Sequence, residues 1–241
     1  MMNNALVFGY NEFAMQIASQ LKESYEEVYI YVSDEDEKER ALDDGFNATI
    51  FDFGDDWEDL QDKHNLQEFI VFSALQDDAQ NVFLTISLRA SFEELYIIAL
   101  AKNQESSNKL KMAGANKVLP VLQMTANLIV EILEKPVVTD VLHKILYEKS
   151  DLQIAQISLK ESSNIIGVKL QDIIHNEQYG VILIAIVDQQ LQSTFIFTAK
   201  GYNHFLCVGD ILVVVGYEKE IKIFEKEIGG SRETDRSHWS R

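Results

Sequence analysis

Cysteine occurs once, proline twice and glycine eleven times in 241 residues, and basic residues are scarce. The single Cys207, in "NHFLCVGD", has no partner for an internal disulfide and reads as a small apolar side chain in a reducing compartment. The longest apolar runs, "GVILIAIV" (180–187) and "DILVVVGY" (210–217), are strand-length, far below the roughly 20 residues a membrane span requires. No basic n-region and apolar h-region open the chain, so no signal peptide is expected. A cytoplasmic chain with no direct membrane insertion follows, and the doubled Met1 and Met2 suggest a start inside something longer. With 21 basic against 39 acidic residues the net charge is −18, and residues 1–60 alone hold 16 acids against 3 bases. A surface that grips phosphate backbones needs the opposite sign, so nucleic acid and anionic lipid are excluded as partners. Catalytic motifs are lacking too: there is no Cys-X-X-Cys, P-loop or His-Glu-X-X-His. Histidines 64, 143, 175, 204 and 238 show no triad or metal-pair spacing. No enzyme is expected.

What is present is alternation. Apolar runs at "ALVF" (5–8), "VYIYV" (28–32), "ATIF" (48–51), "FIVF" (69–72), "YIIALA" (96–101) and "KVLP" (117–120) are separated by stretches of helical spacing, such as Phe13, Ile17, Ala18 and Leu21. Strand and helix repeating at this interval predict a doubly wound, Rossmann-like parallel sheet over residues 1–120. Residues 121–150 read as two apolar helices meeting at Pro136, a pair suited to dimerisation. From 151 to 228, "LQIAQISL", "GVILIAIV", "STFIFTA" and "DILVVVGY", with helices at "VKLQDIIH" and "EKEIKIFEKEI", predict a small α+β subdomain. The polar stretch 229–241 reads as a disordered tail that need not be natural sequence. Gly114 is expected to end a helix in the left-handed conformation and Gly209 to form the turn before the last strand.

The first turn, "GYNEFA" (9–14), keeps one of the three glycines of a dinucleotide-binding fingerprint: Gly9 holds the first place, Asn11 the second and Ala14 the third. Asn11 puts a side chain where pyrophosphate lies, and Glu12 puts a carboxylate at the helix N-terminus. This argues against NAD. In such sheets ligands gather at the carboxyl ends of the strands. That rim brings together Gly9, Tyr10, Asn11 and Glu12, then Asp34 and Glu35, Asp52, Gln76, Asp77 and Asp78, and Lys102. Carboxylates dominate it, so a divalent cation, with Asp34, Asp55 and Asp78 as candidate ligands, or an adenine nucleotide held through its ribose, suits it better than a bare phosphate. Equally, Asp34 to Glu37 could serve only as helix caps. Asn81 is placed either to anchor the segment after the paired acids or on plain helix surface.

"SALQDDAQNVFLTISLRA" (73–90) resembles the strand-end, paired-Asp, Asn and helix signature of the regulator-of-potassium-conductance family, also called KTN or TrkA-N domains. "YIIALAKNQESSNKLKMAGANKVLP" (96–120) is similar to that family's next segment, and "SSNIIGVKLQDI" (162–173) with "VGDILVVVGY" (208–217) to its TrkA-C subdomain. The resemblance implies a cytosolic regulatory domain of a potassium channel, paired as a homodimer through the helices after the sheet and assembled into an octameric ring that couples a ligand to the membrane pore. It also implies an alternative, a nucleotide-binding peripheral subunit of a potassium uptake system. Uptake subunits usually keep the full glycine fingerprint, and "GYNEFA" departs from it. Calcium-gated relatives carry acids on and just after the fifth strand, where this chain has Leu100 and Lys102, although Asp78 matches an acid after the fourth.

Overall fold

A computed structural model describes residues 3–54, 57–147, 151–174, 180–189, 192–198 and 203–232. Those up to Val130 form one compact unit and those from Glu131 onward a second.

The first unit alternates strand and helix: β1 (Asn4–Phe8), α1 (Glu12–Lys22), β2 (Glu27–Val32), α2 (Glu35–Asp43), β3 (Asn47–Ile50), α3 (Glu58–Lys63), β4 (Phe69–Ser73), α4 (Asp78–Ser91), β5 (Tyr96–Ala101), α5 (Gln104–Met112) and β6 (Lys117–Pro120). The strands form one parallel sheet in the order β3-β2-β1-β4-β5-β6. β1 is central and all five of its residues are buried, as expected for a strand covered on both faces. Strand alternation sends Ala5 and Val7 to the core under α1 and α2, and Leu6 and Phe8 to the opposite core with Trp57, Leu84 and Leu88. The helix ends are set by local chemistry. Asn11, Asp34, Asp77 and Asn103 each accept hydrogen bonds from the first-turn amides of α1, α2, α4 and α5. Gly114, at φ +100°, follows α5 in the left-handed conformation. The guanidinium of Arg89 closes around that turn, donating to Gly114 O at 3.0 and 3.1 Å, Asn116 Oδ1 at 2.7 Å, Phe92 O at 3.2 Å and Glu93 O.

β6 runs straight into α6 (Val121–Glu134), and α7 (Pro136–Tyr147) opens on Pro136. No described residue of either helix is buried. The second unit holds an antiparallel sheet of β7 (Leu152–Ser158), β8 (Val181–Val187), β9 (Ser193–Phe195), β10 (Ile211–Tyr217) and β11 (Ser231–Arg232), in the order β11-β7-β10-β8-β9, with α8 (Leu170–Ile174) and α9 (Glu218–Ile228). Ile221, Phe224 and Ile228, at helical spacing, bury the inner face of α9.

Two expectations change here. "STFIFTA" is a strand only to Phe195, because Thr198 folds back and gives both its amide (3.1 Å) and its hydroxyl (2.8 Å) to Phe195 O. Cys207 is exposed rather than packed. The buried polar group of its turn is Asp210, whose Oδ2 accepts from Cys207 N at 2.9 Å and pairs with His204 Nε2 at 2.7 Å. Gly209 sits in that turn at φ +86°. Among the described residues no helix is long and apolar enough to cross a membrane. The expected tail at 229–241 lies outside the described residues from 233 onward.

Candidate functional site

The chain order of the strands reverses direction between β1 and β4, so the connections leaving them diverge and open a crevice at their carboxyl ends. The cavity there has a volume of about 510 Å³. It is lined by Asn11, Glu12 and Phe13 from the start of α1, Glu37 and Arg40 from α2, Ala74 to Gln76, Asp78 and Asn81 from the β4–α4 connection, Leu100 to Lys102 at the end of β5, and Val121 and Leu122 of α6.

Three groups fix its floor. Gly9 turns the chain at φ +100°, and a Cβ there would stand 2.8 Å from Ala74 O, so only glycine fits. Asn11 ties the two halves of the crevice: its amide nitrogen donates to Ala74 O at 2.6 Å, and its Oδ1 accepts from Phe13 N at 3.0 Å and Ala14 N at 3.1 Å. Asn81 is buried, and its side chain holds the start of the β4–α4 connection. Oδ1 accepts from Ser73 Oγ at 2.8 Å and Leu75 N at 2.9 Å, while Nδ2 donates to Leu75 O at 2.9 Å. Of its two expected placements, Asn81 takes the anchoring one.

Of the residues singled out in the sequence, Asn11, Glu12, Gln76, Asp78 and Lys102 come together on the crevice wall. Gly9 and Tyr10 form the turn beneath it. Tyr10 is buried and donates its hydroxyl to Asp44 Oδ2 at 2.7 Å, and burial, aided by that bond, pushes its pKa up. The other four residues lie off the lining. Asp34 caps α2 by accepting from Glu37 N at 2.8 Å, and Glu35 pairs with Lys38. Asp52 closes a local turn onto Gly54 N, and Asp77 caps α4 through Gln80 N. Asp78 accepts from Ser106 Oγ. Among the described residues no three His, Cys, Asp or Glu side chains form a metal-ligand group, and Asp55 lies outside the described residues.

Sequence reading gave Glu37 only a helix-cap role and passed over Arg40; the two bring opposite charges into the crevice. Glu37 Oε2 accepts from Tyr10 N at 3.3 Å, and its Oε1 lies 3.9 Å from Arg40 Nη2. Burial and the neighbouring Asp34 raise the Glu37 pKa, against the lowering effects of the Tyr10 amide and Arg40. The signal was present: Asp34 and Glu37 have capping-box spacing, which points the third-position carboxylate back past the helix start. The first-turn amides of Tyr10, Phe13 and Ala14 are thus all taken by the chain's own side-chain oxygens. The residues present do not fit a pyrophosphate on those amides. Arg40 and Lys102 are the groups on the wall able to meet an anion.

Among the described residues the wall carries no histidine, cysteine or hydroxyl side chain. His64 is buried at the other end of the sheet, 2.8 Å from Tyr31 Oη.

A family model described as the TrkA-N domain matches residues 5–120. "Potassium channel protein 1" of Methanocaldococcus jannaschii is 22% identical over 229 residues, covering 95% of this chain and 67% of that protein. Among solved structures, the human SLO3 gating ring aligns at a TM-score of 0.66 with 11% identity, over 91% of this chain and 45% of that one, a likeness of fold. A structure described as the GsuK channel bound to NAD aligns at a TM-score of 0.47 with 17% identity, over 94% of this chain and 38% of that one. The chain thus spans under half of each of these two solved chains. The expectation against NAD finds no support in these comparisons. Residues 5–120 are thus a TrkA-N domain, and the strand order of the first unit agrees with it.

Proposed function

We propose that this chain is the ligand-sensing cytosolic domain of a potassium channel, non-catalytic, that binds a small ligand in the crevice between β1 and β4 and passes the event to a membrane pore. The observation that carries the reading is the crevice itself. It stands at the ligand position of a TrkA-N sheet, with charged and amide side chains but no nucleophile–base pair on its wall. A potassium channel protein among its relatives supplies the pore as partner.

In this reading residues 1–120 are the sensing subdomain and 151–228 the TrkA-C subdomain, with the helices of 121–150 joining two copies. Leu128, Leu133, Val137 and Leu142 are exposed, and a run of large apolar side chains facing water marks an interaction surface. Dimers then assemble into an octameric ring. Asn11, Glu12, Gln76, Asp78 and Lys102 are the ligand contacts, above the Gly9–Tyr10 turn. Asp34, Glu35, Asp52 and Asp77 shape the rim.

The test is a thermal-shift screen of the purified chain against calcium, magnesium, AMP, ADP, ATP, NAD and NADH, since a ligand that binds only the native state raises the melting temperature by mass action. A shift abolished by Asp78→Ala or Lys102→Ala supports the crevice reading, and potassium flux through the full channel in liposomes should then respond to the same ligand. Turnover of any nucleotide in the screen would overturn the non-catalytic assignment.

A further inference from the structure

In the β1–α1 turn the amides of Tyr10, Phe13 and Ala14 each meet a side-chain oxygen. Asn11 satisfies Phe13 N and Ala14 N from within its own turn, an ordinary helix cap. The third match is different in kind. Tyr10 N receives a carboxylate from a separate element 27 residues on, the third residue of α2. Glu37 reaches it while lining the same cavity, largely withdrawn from solvent, with a side-chain exposure of 17%. A carboxylate on the crevice wall, held by a backbone amide of the turn beneath it, carries the sign of a ligand phosphate.

We propose that Glu37 sets the charge selectivity of the crevice: it holds the Tyr10 amide in place of a phosphate and repels phosphate-bearing ligands, while leaving uncharged ligands of the same shape unaffected. This rests on the reading of the crevice as a ligand site. Removing Glu37 does two things. It frees an amide donor, and it removes the carboxylate that Arg40 faces at 3.9 Å on a wall that also carries Lys102. Both changes favour an anion. Glu37→Gln removes the charge but keeps an oxygen able to accept from Tyr10 N, so it separates repulsion from occupancy.

The experiment is calorimetric titration of wild-type, Glu37→Gln and Glu37→Ala chains with ADP and with adenosine, beside amide NMR spectra of each. Glu37→Ala should bind ADP at least tenfold more tightly than wild type and Glu37→Gln should fall between, with adenosine changing less than twofold. The Tyr10 amide resonance should move in both variants without ligand. A near-native melting temperature of Glu37→Gln guards against loss of fold. If ADP binds equally well, or less well, when Glu37 is gone, or if the Tyr10 resonance ignores the substitution, the inference is wrong while the crevice reading stands. If neither probe, nor any ligand of the thermal screen, binds any of the three proteins, the crevice reading itself fails and takes the inference with it.

Discussion

Replacing Asn81 with alanine removes three hydrogen bonds from a buried site beside the crevice. Ser73 Oγ, Leu75 N and Leu75 O lose their partner together, and both Ser73 and Leu75 are buried. Each lost bond is worth about 1 kcal/mol, and a buried polar group left unpaired costs about 1–3 kcal/mol, so partial relaxation still leaves about 3–4 kcal/mol of destabilisation. With a urea dependence near 2 kcal/mol per molar, the midpoint should fall by about 1.5–2 M. Trp57 reports on this unit directly, since its ring packs on Phe8 and Phe51 in the same core as Leu75. Fluorescence-detected urea unfolding in a Trp239→Phe background is therefore the assay. A drop below 0.5 M for Asn81→Ala, with native circular dichroism, would refute the anchoring role.

The same reasoning gives further expected outcomes. Gly9→Ala forces a Cβ against Ala74 O at positive φ, and should cost about 2–4 kcal/mol in urea unfolding and abolish ligand-induced thermal shifts. Arg89→Lys keeps the charge but loses the fork that serves Gly114, Phe92 and Asn116 together, a loss of about 2–3 kcal/mol by the same assay. Burial lowers the pKa of His64, so the fold favours the neutral ring. Its contribution is intact above the unfolded value of about 6.5 and is lost as pH falls toward the lower folded value. Between pH 7.5 and pH 5.5 the wild-type urea midpoint should therefore drop more than that of His64→Gln, and equal drops would discount the histidine. Leu133→Glu on α6 should convert a dimer to monomer in light scattering, and an unchanged mass would count against the proposed pairing.

Periodicity located the strands of the parallel sheet because a central strand such as β1 and its neighbours must be apolar on both faces, a property of the residues themselves. "GYNEFA" likewise announced the turn into the first helix, which Asn11 caps and ties to Ala74. What stayed hidden were contacts between elements far apart in sequence. Glu37 and Arg40 looked like members of a solvated acidic helix, and only the packing of α2 beside the β1–α1 turn makes them crevice residues. Asp34, read as either a ligand group or a helix cap, caps α2 by accepting from the amide of Glu37 three residues on. The buried pairing of Asp210 with His204 was invisible because a spacing of six residues across a glycine turn belongs to no familiar motif.

No residue intervenes between β6 and α6: Pro120 ends the strand and Val121 begins the helix. Val121 and Leu122 are at once the first turn of α6 and part of the crevice wall. A helix of fourteen residues, about 21 Å long, therefore starts on the crevice wall itself. If the crevice holds a ligand as proposed, that ligand and whatever moves the helix are coupled reciprocally, each felt by the other with the same free energy. Affinity measured with the helix clamped and with it free would give the work that binding can deliver.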